Sequence, residues 1–265
     1  MLRLKTIKKI KQLIRIINRP MLIRILKTPF ITFIVTFFVY NLGESLLISK
    51  TANINSYIIG IIITALIFGY LIFWLYRNHL LSLNKPNKKN ILNCIYIGLI
   101  YLFCILFYIS FNFLINEIQI LLGLTSNAAV TKNQTEIIKM YNYSINNNKI
   151  MFLFLIITEC LIAPVMEELM FRGVIQAYNT QRHIDYEILI ILFTAAFFGL
   201  FHILNFLQDS MSMKYILILF FNWIQYCMLG LILGLLYKHK HNLNESILFH
   251  ILLNSLSVIL TLYSI

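Results

Sequence analysis

The chain has 265 residues, of which 60% are hydrophobic and only 12% charged, with a mean hydropathy of +0.80. A soluble domain carries about a quarter charged residues, so the composition excludes a soluble globular protein and points to an integral membrane one. The net charge of +12 would suggest a nucleic-acid partner in a soluble chain, but its distribution along this one reads as membrane topology.

The first 28 residues, MLRLKTIKKIKQLIRIINRPMLIRILKT, hold nine Lys and Arg among aliphatic residues at near-helical spacing. That pattern predicts an amphipathic basic helix lying on an anionic leaflet. Its basic region is too long for a signal peptide, and no small-residue cleavage site follows. Apolar stretches then run over about 29–49, 57–76, 91–115, 150–178, 187–205, 214–237 and 243–264. Stretches of about 20 residues suit helices crossing a bilayer. The fold class expected is all-α: a polytopic membrane bundle of about seven transmembrane helices, with an eighth possible. We divide it into the basic segment 1–28, N-terminal helices and a polar loop over 29–149, and a core over 150–265.

Lys and Arg number nine in 1–28, four in 77–90, two in 172–186 and two in 238–241, which is 17 of 22 on one set of alternate sides. The other five are Lys50, Lys132, Lys139, Lys149 and Lys214. The positive-inside rule places the N-terminus in the cytoplasm. With a composition rich in Ile, Asn and Lys, the expected location is a bacterial plasma membrane. The expected partners are membrane lipid and a membrane-associated peptide or protein, with no nucleic acid.

The loop LSLNKPNKKN is a short connection, and SNAAVTKNQTEIIKMYNYSINNNK (126–149) is the main polar excursion, placed on the outer side. Cys94, Cys104, Cys160 and Cys227 lie within predicted spans at no metal-ligand spacing and read as packing residues. Gly230 and Gly234 form a GxxxG in the sixth span, a signal for close helix contact.

Ionisable residues inside the spans are few. The carboxylates are Glu44, Glu159, Glu167 and Glu168, the histidines His202 and His250, and the cation well within a span Arg172. Glu168 and Arg172 stand four apart, the spacing of a helical ion pair. Glu167 points about 100° away, as a carboxylate suited to general-base work; alternatively both glutamates grip Arg172 and hold helices together. Pro164, three residues earlier, loosens the helix backbone and could aim Glu167 into a cavity. Phe198 and His202 share a face of the fifth span. His250 and Asn254 share one in the seventh, either as an oxyanion-holding donor pair or as a polar clamp between helices. A base, a second imidazole and a donor pair on three spans can converge on one water and one peptide carbonyl. No GxSxG, HExxH, GxGxxG or Walker-type motif is present.

The ordered set Glu167-Glu168-Leu-Met-Phe-Arg172, Phe198-Gly-Leu-Phe-His202 and His250-Ile-Leu-Leu-Asn254 resembles the EExxxR, FxxxH and HxxxN motifs of the CAAX-protease and bacteriocin-processing family (CPBP, also called Abi). These are intramembrane proteases that include the CAAX prenyl endopeptidases. The match covers about residues 150–260. The resemblance implies that Glu167 and His202 activate the attacking water, His250 and Asn254 stabilise the oxyanion, and Glu168 with Arg172 braces the site, beside Phe198. It implies leader or pheromone processing, bacteriocin maturation or self-immunity as the role. No cofactor is favoured; if the enzyme were metal-dependent, Glu167, His202 and His250 would be the zinc ligands, with an open position for water. A non-catalytic membrane scaffold or immunity protein and a proton-coupled carrier are the competing classes. Helix lengths raise one tension: Glu167, His202 and His250 lie roughly 15, 22 and 10 Å from the inner ends of their spans at about 1.5 Å per residue.

Overall fold

The computed structural model describes residues 32–43, 54–77, 91–124, 130–204 and 212–263. The expected basic helix over 1–28, Glu44 and the loop LSLNKPNKKN lie outside the described residues. The described helices are α1 (Thr32–Gly43), α2 (Ile54–Arg77), α3 (Ile91–Leu121), α4 (Val130–Asn147), α5 (Lys149–Gln181), α6 (Glu187–Leu204), α7 (Met213–Lys240) and α8 (Leu243–Tyr263). Helix is what apolar sequence must form in lipid, where each main-chain N–H and C=O has to be satisfied inside its own segment. The chain is an all-α, multi-pass membrane protein. Six helices, α2, α3 and α5–α8, are long and apolar enough to cross a bilayer. The first predicted span, 29–49, is described only as the shorter α1.

Two predicted boundaries move. Helix α3 continues to Leu121, past the predicted end at 115. The polar excursion contains a helix, α4, because one of its faces is needed: Tyr141 and Ser144 are fully buried, and Tyr141 packs with Met151, Leu155 and Val258. Asn148 then caps α5, its side chain accepting the Met151 N–H at 3.0 Å.

Helix α5 is the axis of the bundle. From Glu168 to Ala177 every residue is buried, as expected of a helix surrounded by others. Met166, Phe171 and Val174 pack into one core with Leu71 and Leu75 of α2, Leu233 of α7 and Phe249 of α8. The helix is also wound unusually. Thr158–Ile162 and Leu169–Ala177 are π-helical, a wide winding often found at functional sites. In the first stretch the Ala163 N–H bonds to the Thr158 carbonyl five residues back.

Helices α6 and α7 make the closest pair. A Cβ at Gly230 would stand 3.0 Å from Ala195 Cα, and one at Gly234 would stand 3.0 Å from Ile191 Cγ2. Gly199 answers from the other helix, its position 2.8 Å from the Trp223 carbonyl. The GxxxG therefore is the close contact its spacing predicted. It also exposes main chain to α5: Arg172 Nη2 donates to the Gly230 carbonyl and Gln176 Nε2 to that of Gly234, both at 2.9 Å. At the end of the bundle carrying Lys238, that side chain pairs with Glu187 at 3.1 Å. Phe33 and Phe37 of α1 seal α5 and α6 through ring contacts with Phe171, Phe197 and Phe201.

Candidate active site

Glu168 and Arg172 form the ion pair that their spacing predicted. Arg172 Nη1 donates to Glu168 Oε1 at 2.9 Å, with both side chains fully buried. The guanidinium reaches the Gly230 carbonyl with its other arm and lies 4.8 Å from the centre of the Phe198 ring. Two charges at this depth are tolerable because they are paired and hydrogen-bonded. The same Glu168 oxygen also takes His250 Nδ1 at 3.0 Å. One carboxylate oxygen thus ties α5 to α8, while Arg172 ties α5 to α7.

Glu167 points elsewhere, as the helical geometry required. Its Oε2 is buried without a hydrogen-bond partner among the described residues. It stands 3.7 Å from His202 Nε2 and 3.8 Å from His250 Nε2. His202 Nδ1 is bound to the Phe198 carbonyl at 2.9 Å, and its ring stacks on Tyr226 at 4.5 Å between centroids. The bond to Phe198 folds the ring back by about one helical turn. That removes part of the depth mismatch estimated from helix lengths. Glu167, Glu168, Arg172, Phe198, His202 and His250, from three separate spans, are therefore brought together.

Asn254, the remaining predicted residue, has a fixed partner: its Nδ2 donates to the Glu159 carbonyl at 3.1 Å. The Glu159 carboxylate accepts from the Tyr141 hydroxyl at 2.8 Å. Glu159 was noted in the sequence only as an intramembrane carboxylate. Tyr226 was not singled out, and its one signal was a polar-tipped ring four residues before Gly230. Cys104, Cys160 and Cys227 are free thiols, as their scattered spacing suggested.

Each imidazole is oriented through its Nδ1. With Nδ1 donating to the Phe198 carbonyl, a neutral His202 has its Nε2 lone pair toward Glu167. His250, with Nδ1 against a carboxylate, has Nε2 toward the same place. A water about 2.8 Å from its partners spans acceptors 3.7 Å apart. Tetrahedral zinc ligands at about 2.0–2.1 Å stand roughly 3.4 Å from one another, closer than these atoms are. No group of three His, Cys, Asp or Glu side chains among the described residues is arranged to hold a metal ion. An apolar cleft of about 360 Å³ opens between α2 and α5, lined by residues including Ile61, Phe68, Leu161 and Val165, and reaches Met166, the sequence neighbour of Glu167.

Residues 149–256 match the family model described as type II CAAX prenyl endopeptidase Rce1-like. The chain carries an Rce1-like domain. The matched segment holds all three motifs and the site built from them, and its similarity is to the CAAX prenyl endopeptidases. No curated protein and no solved structure matches the chain.

Proposed function

We propose that the Rce1-like domain hydrolyses a peptide bond of a membrane-associated peptide or protein by a water that Glu167 and His202 activate. The observation that carries this reading is the unpartnered Glu167 Oε2 facing two imidazole nitrogens, each already oriented from behind. A water donating one hydrogen to Glu167 and the other to His202 turns its lone pair outward, toward a substrate carbonyl carbon. Glu167 takes the proton as the C–O bond forms. The resulting oxyanion accepts from His250 Nε2 and from Asn254. On collapse the C–N bond breaks and the proton held by Glu167 passes to the leaving amine, which regenerates the carboxylate. To donate from Nε2 while Nδ1 donates to Glu168, His250 must carry both ring protons, and Glu168 is its counter-charge. The cleft beside Met166 suits an apolar part of the substrate. The charge pattern suits a cell membrane, with the basic ends of the helices in the cytoplasm.

The test is quantitative mass spectrometry of new peptide termini in membranes and medium from cells lacking the protein, or expressing the wild type or Glu167→Gln at equal level. Termini that vanish equally in the deletion and the variant establish proteolysis and identify substrates, separating a processing role from an immunity role. Full restoration by Glu167→Gln would refute the mechanism and favour a scaffold. The purified protein should keep its rate after exhaustive chelation; a loss restored by zinc would refute the metal-free form of the proposal.

A further inference from the structure

Pro164 follows a π-helical turn whose Glu159 carbonyl is met from across the bundle. In the π-helical stretch before it, the Ala163 N–H bonds five residues back to the Thr158 carbonyl. The next bond in that register would run from the N–H of residue 164 to the Glu159 carbonyl. Proline has no N–H. A main-chain acceptor left open within a membrane span is costly, and this one is taken by Asn254 Nδ2 from α8 at 3.1 Å. Glu159 is held from its other end as well, through its carboxylate and Tyr141.

A carboxamide has two N–H groups. Bonding one to a fixed carbonyl sets the amide plane and leaves the second free to donate. His250, one turn earlier on α8, is pinned in the same manner by Glu168. Both donors of α8 are therefore oriented by acceptors on α5. We infer that Pro164 is a positioning residue: by withholding an N–H it reserves the Glu159 carbonyl for Asn254 and sets that carboxamide for the oxyanion. This rests on the donor role of Asn254 given under Proposed function. Any other amino acid at 164 supplies an N–H that, in the π register of the preceding turn, competes for the carbonyl, so the proline acts by a bond it cannot make.

The experiment uses the full chain in lipid nanodiscs, with Pro164→Ala, Asn254→Ala and the double variant. Thermal midpoints test the coupling without any substrate. Asn254→Ala should lower the midpoint by about 3 °C when Pro164 is present and by much less in the Pro164→Ala background; an equal loss in both backgrounds overturns the inference. Cleavage tests the positioning role, using a fluorescence-quenched peptide with a farnesylated CAAX terminus or, where it is not cut, product termini formed in the membranes. Pro164→Ala, which relieves a proline inside a helix, should hold or raise the midpoint while kcat falls about tenfold and KM stays unchanged. The ester analogue, with lactic acid in place of that alanine, again lacks the N–H and should restore kcat. Full activity of Pro164→Ala beside an inactive Asn254→Ala overturns the inference and leaves the donor role standing. Full activity of Asn254→Ala instead removes the donor role, and the positioning role with it.

Discussion

Glu167 and Glu168 are adjacent in sequence and opposite in what their removal should do. Glu167→Gln keeps the size and polarity of a partly exposed group whose Oε2 has no hydrogen bond among the described residues to lose. Its thermal midpoint should match the wild type while the cleavage rate falls by about a hundredfold or more. Arg172→Leu should behave the other way, leaving Glu168 buried with its charge uncompensated at a cost of about 3–5 kcal/mol. Thermal unfolding in detergent will measure that loss, and Arg172→Lys should not recover it, because one ammonium cannot reach both Glu168 and the Gly230 carbonyl in the fork geometry seen here. Spacing in the sequence was enough to pair Glu168 with Arg172, but it left open whether Glu167 grips Arg172 as well. The bond between Glu168 and His250 spans 82 positions, so periodicity could not supply it. The acceptor of Asn254 is a main-chain carbonyl, and a carbonyl leaves no mark on a sequence beyond the proline that vacates it.

Helices meet through features that a hydropathy pattern reads unevenly. The small-residue seam between α6 and α7 was legible because glycine spacing is itself the signal. Substituting Gly199 by valine should separate the two helices, since even a Cβ there would lie 2.7 Å from Cys227 Sγ and 2.8 Å from the Trp223 carbonyl; reduced yield of folded monomer on size exclusion will show it. The π-helical winding of α5 was not legible, because hydrogen-bond register is independent of apolar period. Nor was α4, a polar helix that is no candidate span and is held by one buried edge. Burial, and then the Glu159 carboxylate, push the Tyr141 hydroxyl above the ordinary tyrosine range. A raised folded value stabilises docking fully below the ordinary pKa of about 10 and loses that contribution as pH rises above it. Limited digestion with an alkaline-active protease should therefore cut α4 increasingly above pH of about 10. In Tyr141→Phe the cutting should be greater at neutral pH and should lack that alkaline rise.

At the scale of the molecule, class follows from composition and most spans from the apolar runs, because the bilayer demands about 20 apolar residues per crossing whatever the fold. The outward surface obeys the same demand: Leu66, Phe103 and Ile259 are all more than half exposed, as lipid-facing residues should be. Phe103→Arg should cost about 2.5–3.5 kcal/mol of insertion free energy, read as a reduced membrane-integrated fraction on carbonate extraction. What no composition conveys is the order in which the centre can come into being. Synthesis delivers α5 before α7 and α8 exist, so its buried charges must enter the bilayer without the Gly230 carbonyl or His250 to receive them. The Glu168–Arg172 pair lies within a single helix, one turn apart, and so can form as that helix is inserted. His202 then arrives with α6, the carbonyl that holds Arg172 with α7, and His250 and Asn254 with α8. A ribosome-tethered chain halted after α7 holds the Glu168–Arg172 pair but neither His250 nor Asn254. Under the proposed mechanism the site is complete only once α8 is in place.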